Sequence, residues 1–183
     1  MERWEALFAD LEGQLDAAAA AELASEVAER SRYELGRLRL VDRLHAAQHR
    51  VLAVQAAGAG QLTGRLAAVG TDWVLLAEPG GREVVVPAAA LMHVTGLAAW
   101  SATAVGPVAS RLTLVHALRG LVRDRSAVSL RCVDGTPLAG TFDRVGADFV
   151  ELAEHPAGEA RRRSEVQGVR TVPFSALGAV RRG

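Results

Sequence analysis

The sequence predicts an α+β protein in which an acidic N-terminal helix precedes two helix-preceded, five-stranded small β-barrels. Three observations carry this prediction: the helical spacing of apolar residues at the N-terminus, a segment that recurs within the chain, and period-two alternation of apolar positions in both occurrences. The chain has 183 residues, of which 50% are hydrophobic and 23% are charged. This balance is typical of globular proteins with a packed core.

The N-terminal segment is predicted as one amphipathic helix over residues 1–35. The apolar residues of this segment follow one another mainly at spacings of three or four residues, which is the pattern of one apolar helix face: Trp4, Leu7, Phe8, Leu11, Leu15, Leu23 and Val27. The segment holds nine acidic residues and three arginines, a net charge of −6. Trp4 and Phe8 are therefore candidate interface residues on an acidic helix.

The segment that follows has the opposite charge. Residues 36–71 contain five arginines and one aspartate, a net charge of +4, and residues 35–48 have the pattern of a second, basic helix. Because arginine pairs well with phosphates and carboxylates, Arg37, Arg39 and Arg43 are candidate contacts for a phosphate group or an acidic partner.

The chain contains an internal repeat. Residues 62–78 and 138–154 are identical at nine of seventeen positions, at an offset of 76, and the similarity extends to the helical segments 38–44 and 112–118. Self-similarity at a fixed spacing indicates two copies of one structural unit. The predicted organisation is a helix (1–35), a first helix plus small barrel (36–97), a linker (98–109), and a second helix plus small barrel with a long basic loop (110–183).

The repeated unit is predicted to be built of short, bent strands. Alternate positions stay apolar in both copies while the others vary, so each strand is expected to bury one face. Gly64 and Gly140 fall in mid-strand, where glycine marks a sharp bend of the kind that a small barrel needs. The predicted strands cover residues 51–55, 62–68, 73–78, 83–87, 92–95, 128–133, 138–144, 149–154, 169–173 and 178–181, and short helical turns follow Pro87 and Pro173.

Both copies contain a turn of the form Val-Gly-x-Asp followed by an aromatic residue. Gly70 and Gly146 are expected to take positive φ there, since glycine does so without steric strain. Asp72 and Asp148 are expected to accept hydrogen bonds from amides of their own turns.

A helix followed by a strongly bent five-stranded barrel in this order resembles the Sm-like and SH3-like small-barrel families. The resemblance implies a tandem protein of a bacterial family. The resemblance covers about 130 residues over both copies. Sm-type RNA sites use an aspartate and an asparagine around the turn between the second and third strands, and the matching positions hold Gly70, Val74, Gly146 and Val150. The resemblance therefore implies the fold but not the uridine pocket.

The second copy has a longer connection between its third and fourth strands. Ten additional residues lie there, and residues 160–183 carry a net charge of +5. Loops on a rigid scaffold often carry binding specificity. Arg161, Arg162, Arg163 and Arg170 are therefore candidate contacts for phosphate groups, for an acidic protein partner or for the chain's own acidic helix. A solvated loop that only keeps the protein soluble is the alternative.

The third strand of the first copy has an apolar outward face. It presents Trp73 and Leu75 where the second copy has Phe149 and Glu151. A small protein rarely leaves such a patch in solvent. Trp73 and Leu75 are therefore candidate interface residues, and we expect them to be covered by the chain itself.

The sequence lacks the motifs of common catalytic sites. Without lysine the chain has no Walker A loop and no Schiff-base lysine, and its single cysteine, Cys132, cannot form a multi-cysteine zinc site. His45 and His49 are four residues apart but have no HExxH glutamate, so we expect both at a helix end, either facing water or stabilising the helix C-terminus. His116 is expected to pack on an apolar helix face. These patterns predict no catalytic site, no metal and no cofactor.

The functional prediction follows from these features. With no signal peptide and no membrane-spanning stretch, the sequence predicts a cytoplasmic protein without membrane contact. It favours a non-catalytic binding or adaptor protein that presents the basic loop and the acidic helix to an unidentified protein partner. A nucleic-acid-binding regulator that uses Arg37, Arg39 and Arg43 together with the loop is the alternative. We expect a monomer or a dimer.

Overall fold

The computed structural model describes residues 2–98, 112–156 and 167–182, and in the first helix it describes side chains from Phe8 onward except those of residues 9 and 16. The chain divides into two compact units, Met1–Arg39 and Leu40–Gly183. The first unit contains helix α1 (Glu2–Arg37), and the second contains α2 (Leu40–Ala46), α3 (Leu114–Asp124) and all the strands.

The described residues of the second unit form ten strands in addition to α2 and α3. They are β1 (Val51–Ala56), β2 (Gly60–Val69), β3 (Trp73–Ala77), β4 (Glu83–Pro87), β5 (Leu91–Thr95), β6 (Ala127–Cys132), β7 (Pro137–Val145), β8 (Phe149–Glu154), β9 (Gly168–Pro173) and β10 (Leu177–Arg182). Short 3-10 turns, Ala88–Ala90 and Phe174–Ala176, precede β5 and β10. The predicted strands and both turns are confirmed, with strand ends within two residues of the predicted ones.

The helices differ from the prediction. The basic helix expected over 35–48 is not continuous, because α1 runs on to Arg37 and α2 has only seven residues. The break follows α1, where the Leu38 amide donates to the Leu35 carbonyl at 3.1 Å. The chain turns again after α2, where His49 takes a φ of 68°.

All ten strands belong to one antiparallel sheet, in the order β5-β1-β2-β3-β4-β10-β6-β7-β8-β9. The sheet is not closed, and β5 and β9 are its outer edges. The protein is therefore an α+β structure with an N-terminal helix and a large antiparallel sheet.

The two halves of the sheet share their pairing registers. Leu66 pairs with Leu76 between β2 and β3, and Phe142 pairs with Leu152 between β7 and β8, each pair being followed by a bulge. In both halves a glycine lets the neighbouring strand come close, since a Cβ on Gly64 or on Gly140 would overlap the carbonyl group of the strand beside it.

The turn glycines have a different role from the predicted one. Neither Gly70 nor Gly146 is among the described residues with positive φ. Instead, a Cβ at Gly70 would overlap the Trp73 side chain, and a Cβ at Gly146 would overlap the Phe149 ring. Glycine is required here because the aromatic side chain three residues later folds back against the backbone.

Asp72 also acts outside its own turn, contrary to the prediction. Its Oδ1 accepts a hydrogen bond from the amide of Leu114, the first residue of α3, at 2.7 Å. A carboxylate that accepts a hydrogen bond from the first amides of a helix caps that helix and interacts favourably with the positive end of the helix dipole. The turn between β2 and β3 therefore holds the start of α3, which comes 42 residues later in the chain.

The second unit has two clusters of buried apolar residues. The first lies mainly among β1 to β4 and includes Leu52, Leu66 and Leu76. The second lies mainly among α3 and β6 to β10, but Trp73 and Val85 of the first half are also part of it. The two halves thus share side chains across the place where β4 pairs with β10.

We call this place the seam. Its described strand pairs are Val85 with Val180 and Val84 with Arg181. Arg181 also donates from Nε and Nη2 to the two carboxylate oxygens of Glu78, at 3.1 and 3.2 Å. A bidentate arginine–carboxylate pair of this kind combines two charge-assisted hydrogen bonds.

Candidate partner-binding surfaces

The predicted arginine loop lies only partly within the described residues. Arg161, Arg162 and Arg163 fall outside them. Arg170 is exposed on the edge strand β9, and its Nε donates to Glu154 Oε2 at 2.7 Å. This ion pair holds the Arg170 side chain against β8 while the guanidinium stays open to solvent.

The structure separates the three arginines that were assigned to one basic helix. Arg37 ends α1, with its guanidinium 5.7 Å from the centre of the Tyr33 ring, a cation–π distance. Arg39 is exposed in the same unit. Arg43 lies on α2, where its Nη2 donates to the Ala98 carbonyl at 2.8 Å and its Nε is buried without a partner. Arg43 thus serves the fold more than an outer surface.

Helix α1 exposes large apolar side chains. Phe8 is 59% exposed, Leu11 44% and Leu15 69%, and their spacing of three and four residues places them on one face of the N-terminal half. Trp4 lies at the next position of this face, but its side chain is outside the described ones. Leu23 and Val27 are exposed in the C-terminal half, on a different side of the helix. The prediction of one apolar face along the whole helix is therefore wrong, and the shared face is limited to the N-terminal half.

Trp73 and Leu75 lie inside the fold. Trp73 is 8% exposed, and its indole Nε1 donates to the Leu112 carbonyl at 3.0 Å. Leu75 is half-buried against the second core cluster. Both side chains therefore pack against the second half of the sheet and α3, and they leave little exposed surface for a partner.

A groove that the sequence did not predict lies between α3 and the strands β3 and β4. Its volume is about 200 Å³, and its floor includes Trp73, Leu75 and Leu121. Arg182 and Asp124 line its rim and form an ion pair with Nη2 and Oδ2 3.5 Å apart. The apolar outward face of β3 was the only sequence signal of this groove.

The histidines correct two predictions. His45 lies in the last turn of α2, as expected for a histidine at a helix end, but it is buried instead of facing water. Burial lowers the pKa of His45 below its ordinary value of 6.5, and the nearby Asp42 carboxylate opposes this shift. His116 was expected to be packed, but it is exposed near the start of α3, with its Nδ1 2.8 Å from Thr113 Oγ1. His49 is exposed, as predicted.

His155 is a buried histidine that the sequence did not single out. It is 2% exposed, and its Nε2 lies 2.8 Å from Thr141 Oγ1. Its Nδ1 lies 3.0 Å from the Pro156 carbonyl, which can only accept. The ring therefore donates from Nδ1 to this carbonyl, and Nε2 is hydrogen-bonded to the threonine hydroxyl, so both of its nitrogens are used within the fold.

Cys132 is half-buried at the end of β6, as expected for a strand cysteine. Burial, with the nearby Asp134 carboxylate as a smaller contribution, raises the pKa of its thiol. The thiolate is the nucleophilic form, so this environment disfavours nucleophilic chemistry. Asp134 accepts hydrogen bonds from the amide and hydroxyl of Thr136, and these bonds lower the pKa of its carboxyl.

Two searches of the described residues found no further site. They contain no group of three or more histidine, cysteine, aspartate or glutamate side chains that could hold a metal ion. Among their helices, none combines the length and the apolar character that crossing a bilayer requires.

No protein-family model matches this sequence. A search of curated proteins found no significant match.

Proposed function

We propose that this protein is a non-catalytic binding or adaptor protein that contacts a protein partner through two elements. One is the acidic helix α1, and the other is the arginine-rich segment around Arg161, Arg162, Arg163 and Arg170. The observation that carries the proposal is the exposed apolar face of α1 formed by Phe8, Leu11 and Leu15.

This face is what a helix that binds a partner needs. Helices in proteins gain most of their stability from packing an apolar face, and contiguous exposed apolar residues usually mark an interaction site. The exposed Glu12 carboxylate lies beside this face, and the helix as a whole is acidic. The chemistry therefore favours a partner with an apolar groove bordered by basic residues.

We further propose that the second unit is a scaffold of two Sm-like or SH3-like small-barrel modules that arose by duplication. Each half of the sheet has one strand order, β5-β1-β2-β3-β4 and β10-β6-β7-β8-β9, in which the fifth strand lies beside the first. The paired residues of the second half correspond to those of the first at the sequence offset of 76. Cytoplasmic location is part of this proposal.

The arginine segment is tested by changing Arg161, Arg162 and Arg163 together to alanine. The matched control changes Arg50, Arg82 and Arg125, three exposed arginines of the second unit, so that the charge lost is equal. Affinity capture should fall at least about tenfold for the loop variant, because its charge-assisted contacts are lost. Equal capture by both variants and the wild type would remove the segment from the proposal.

The alternative, a nucleic-acid-binding regulator, is favoured by one observation. Arg119 and Arg123 are both exposed and four residues apart, so they share a face of α3. Binding through phosphates must weaken steeply as salt rises. The test is an anisotropy titration with random RNA and DNA at low salt, repeated at physiological salt. Binding that weakens at the higher salt would favour this alternative. Loss of that binding in the Arg119→Ala, Arg123→Ala variant would assign it to α3.

A further inference from the structure

The seam between β4 and β10 depends on close backbone contacts as well as on strand pairing. A Cβ added to Gly58, in the turn between β1 and β2, would overlap the Cys132 carbonyl at the end of β6. A Cβ added to Gly178, in β10, would overlap the Ala57 carbonyl. The two halves can approach this closely only because neither position has a side chain.

Two polar contacts complete the seam. Trp73 Nε1 donates to the Leu112 carbonyl just before α3, and Arg181 binds Glu78 with two hydrogen bonds. Both contacts connect the first half of the sheet with the second. Gly58, Gly178, Trp73 and Arg181 are therefore the residues on which the contacts of the seam depend.

The two outer strands, β5 and β9, correspond by sequence to the two strands that pair at the seam. β5 corresponds to β10, because Val94 pairs with Val54 as Val180 pairs with Leu130. β9 corresponds to β4, because Pro173 pairs with Phe149 as Pro87 pairs with Trp73. A second copy of the chain could therefore add its β5 to β9 and extend the sheet, unless the side chains prevent it.

The residues at the corresponding positions differ from those of the seam. The position of Gly178 is taken in β5 by Met92, which is 68% exposed and would occupy the space of the facing turn. The position of Gly58 is taken by Asp134, a carboxylate exposed at the tip of the turn between β6 and β7. Thr95 and Phe149 replace Arg181 and Trp73, so neither polar contact can form.

We propose that Met92 and Asp134 block head-to-tail association of this chain, so that the junction found at the seam is made once within each molecule and is not repeated between molecules. Unpaired sheet edges are a hazard for aggregation, and proteins commonly protect them with charges and obstructing side chains. Because an edge-to-edge contact of this type is heterologous, an unblocked chain would grow into rings or filaments. This inference is independent of the proposed adaptor function.

The test unblocks one end at a time. One variant, Met92→Gly with Thr95→Arg, restores the β10 side of the seam on β5, and a second, Asp134→Gly with Phe149→Trp, restores the β4 side near β9. Each variant alone should sediment like the wild type. An equimolar mixture should form a complex with twice the mass of either variant, because only then do two competent ends meet.

A matched control keeps the Cβ atoms. Variants with Met92→Ala and Asp134→Ala, in the same Thr95→Arg and Phe149→Trp backgrounds, remove most of each side chain but still place a Cβ where the seam has none. Their mixture should stay unassociated. Circular dichroism and thermal melts confirm that all four chains are folded, and since Met92 and Asp134 are exposed, either single glycine substitution can be used alone if a double variant fails to fold.

Two results would overturn the proposal. The first is a folded glycine-variant mixture that shows no complex, since Met92 and Asp134 would then not be the obstruction. The second is association of the wild-type protein with slowed hydrogen exchange at the amides of β5 and β9, because the edges would then already pair.

Discussion

At the residue scale, single atoms decide which positions of this fold tolerate a side chain. Gly120 and Gly178 illustrate the contrast, because a Cβ at Gly120 has nothing within 4 Å while a Cβ at Gly178 would overlap the Ala57 carbonyl. The amino-acid type is the same in both cases. Only the approach of a distant backbone segment separates them.

Gly178→Ala is expected to destabilise the protein by about 1–3 kcal/mol, the usual effect of forcing an extra methyl into a packed site. Gly120→Ala should instead stabilise α3 by up to about 1 kcal/mol, because alanine is the better helix former. Urea denaturation of both variants and the wild type measures the difference. Equal free energies of unfolding for the two variants would mean that the close approach at the seam does not exist in solution.

His45 should make stability depend on pH. Its folded pKa is lowered by burial, so between that pKa and 6.5 the unfolded chain binds a proton that the folded chain does not. Stability is therefore complete above pH 6.5 and is lost as pH falls below it, with a slope of up to about 1.4 kcal/mol per pH unit. Denaturation of the wild type and His45→Gln from pH 8 to pH 4 should show the steeper decline in the wild type, and parallel curves would contradict this assignment.

Sequence patterns could not predict these residue environments. The period-two alternation that located β2 says nothing about His45 and His116, because both lie on helices. On a short helix, a small rotation about its axis decides which side chains are buried, as His45 is, and which are exposed, as His116 is. His155 follows the end of β8, and its burial depends on Thr141, fourteen residues earlier. Contacts of this length leave no local pattern.

At the scale of single elements, α3 shows how a distant turn stabilises a helix. Its own N-terminal residue, Thr113, makes no side-chain capping bond, and Asp72 of the turn between β2 and β3 supplies the carboxylate instead. The sequence predicted the turn and the helix, since both have local signals. It did not predict their contact, and it assigned Asp72 to the wrong amides.

Asp72→Ala is expected to destabilise the second unit by about 1 kcal/mol, the typical effect of removing a helix cap. Asp148→Ala is the matched control, because Asp148 holds the same position of the second turn and its side chain is exposed. Thermal unfolding should show a lower midpoint for the first variant only. A similar decrease for both would place the effect in the turns themselves.

At the scale of the whole molecule, the seam determines how the second unit holds together. The repeat in the sequence predicted two similar halves and located their strands. It did not predict that one ten-stranded sheet joins them, because β4 and β10 are separated by about ninety residues and nothing in either strand's alternation specifies the other.

The ion pair between Arg181 and Glu78 should contribute to this junction. A double-mutant cycle with Arg181→Ala and Glu78→Ala is expected to give a coupling energy of about 1–3 kcal/mol, because the pair is partly buried and bidentate. The exposed pair Arg30–Glu34 on α1 is the control and should give below about 0.5 kcal/mol. Equal coupling energies for the two pairs would show that the Arg181–Glu78 pair stabilises the protein no more than an exposed ion pair does.

Trp73 and Val85 have a consequence for any attempt to divide this protein. They are encoded in the first half but complete the apolar cluster of the second. A gene cut at the linker would therefore yield two polypeptides of which the C-terminal one lacks part of its interior. Expressed separately, that polypeptide should be poorly folded, and adding its missing counterpart should restore it by fragment complementation.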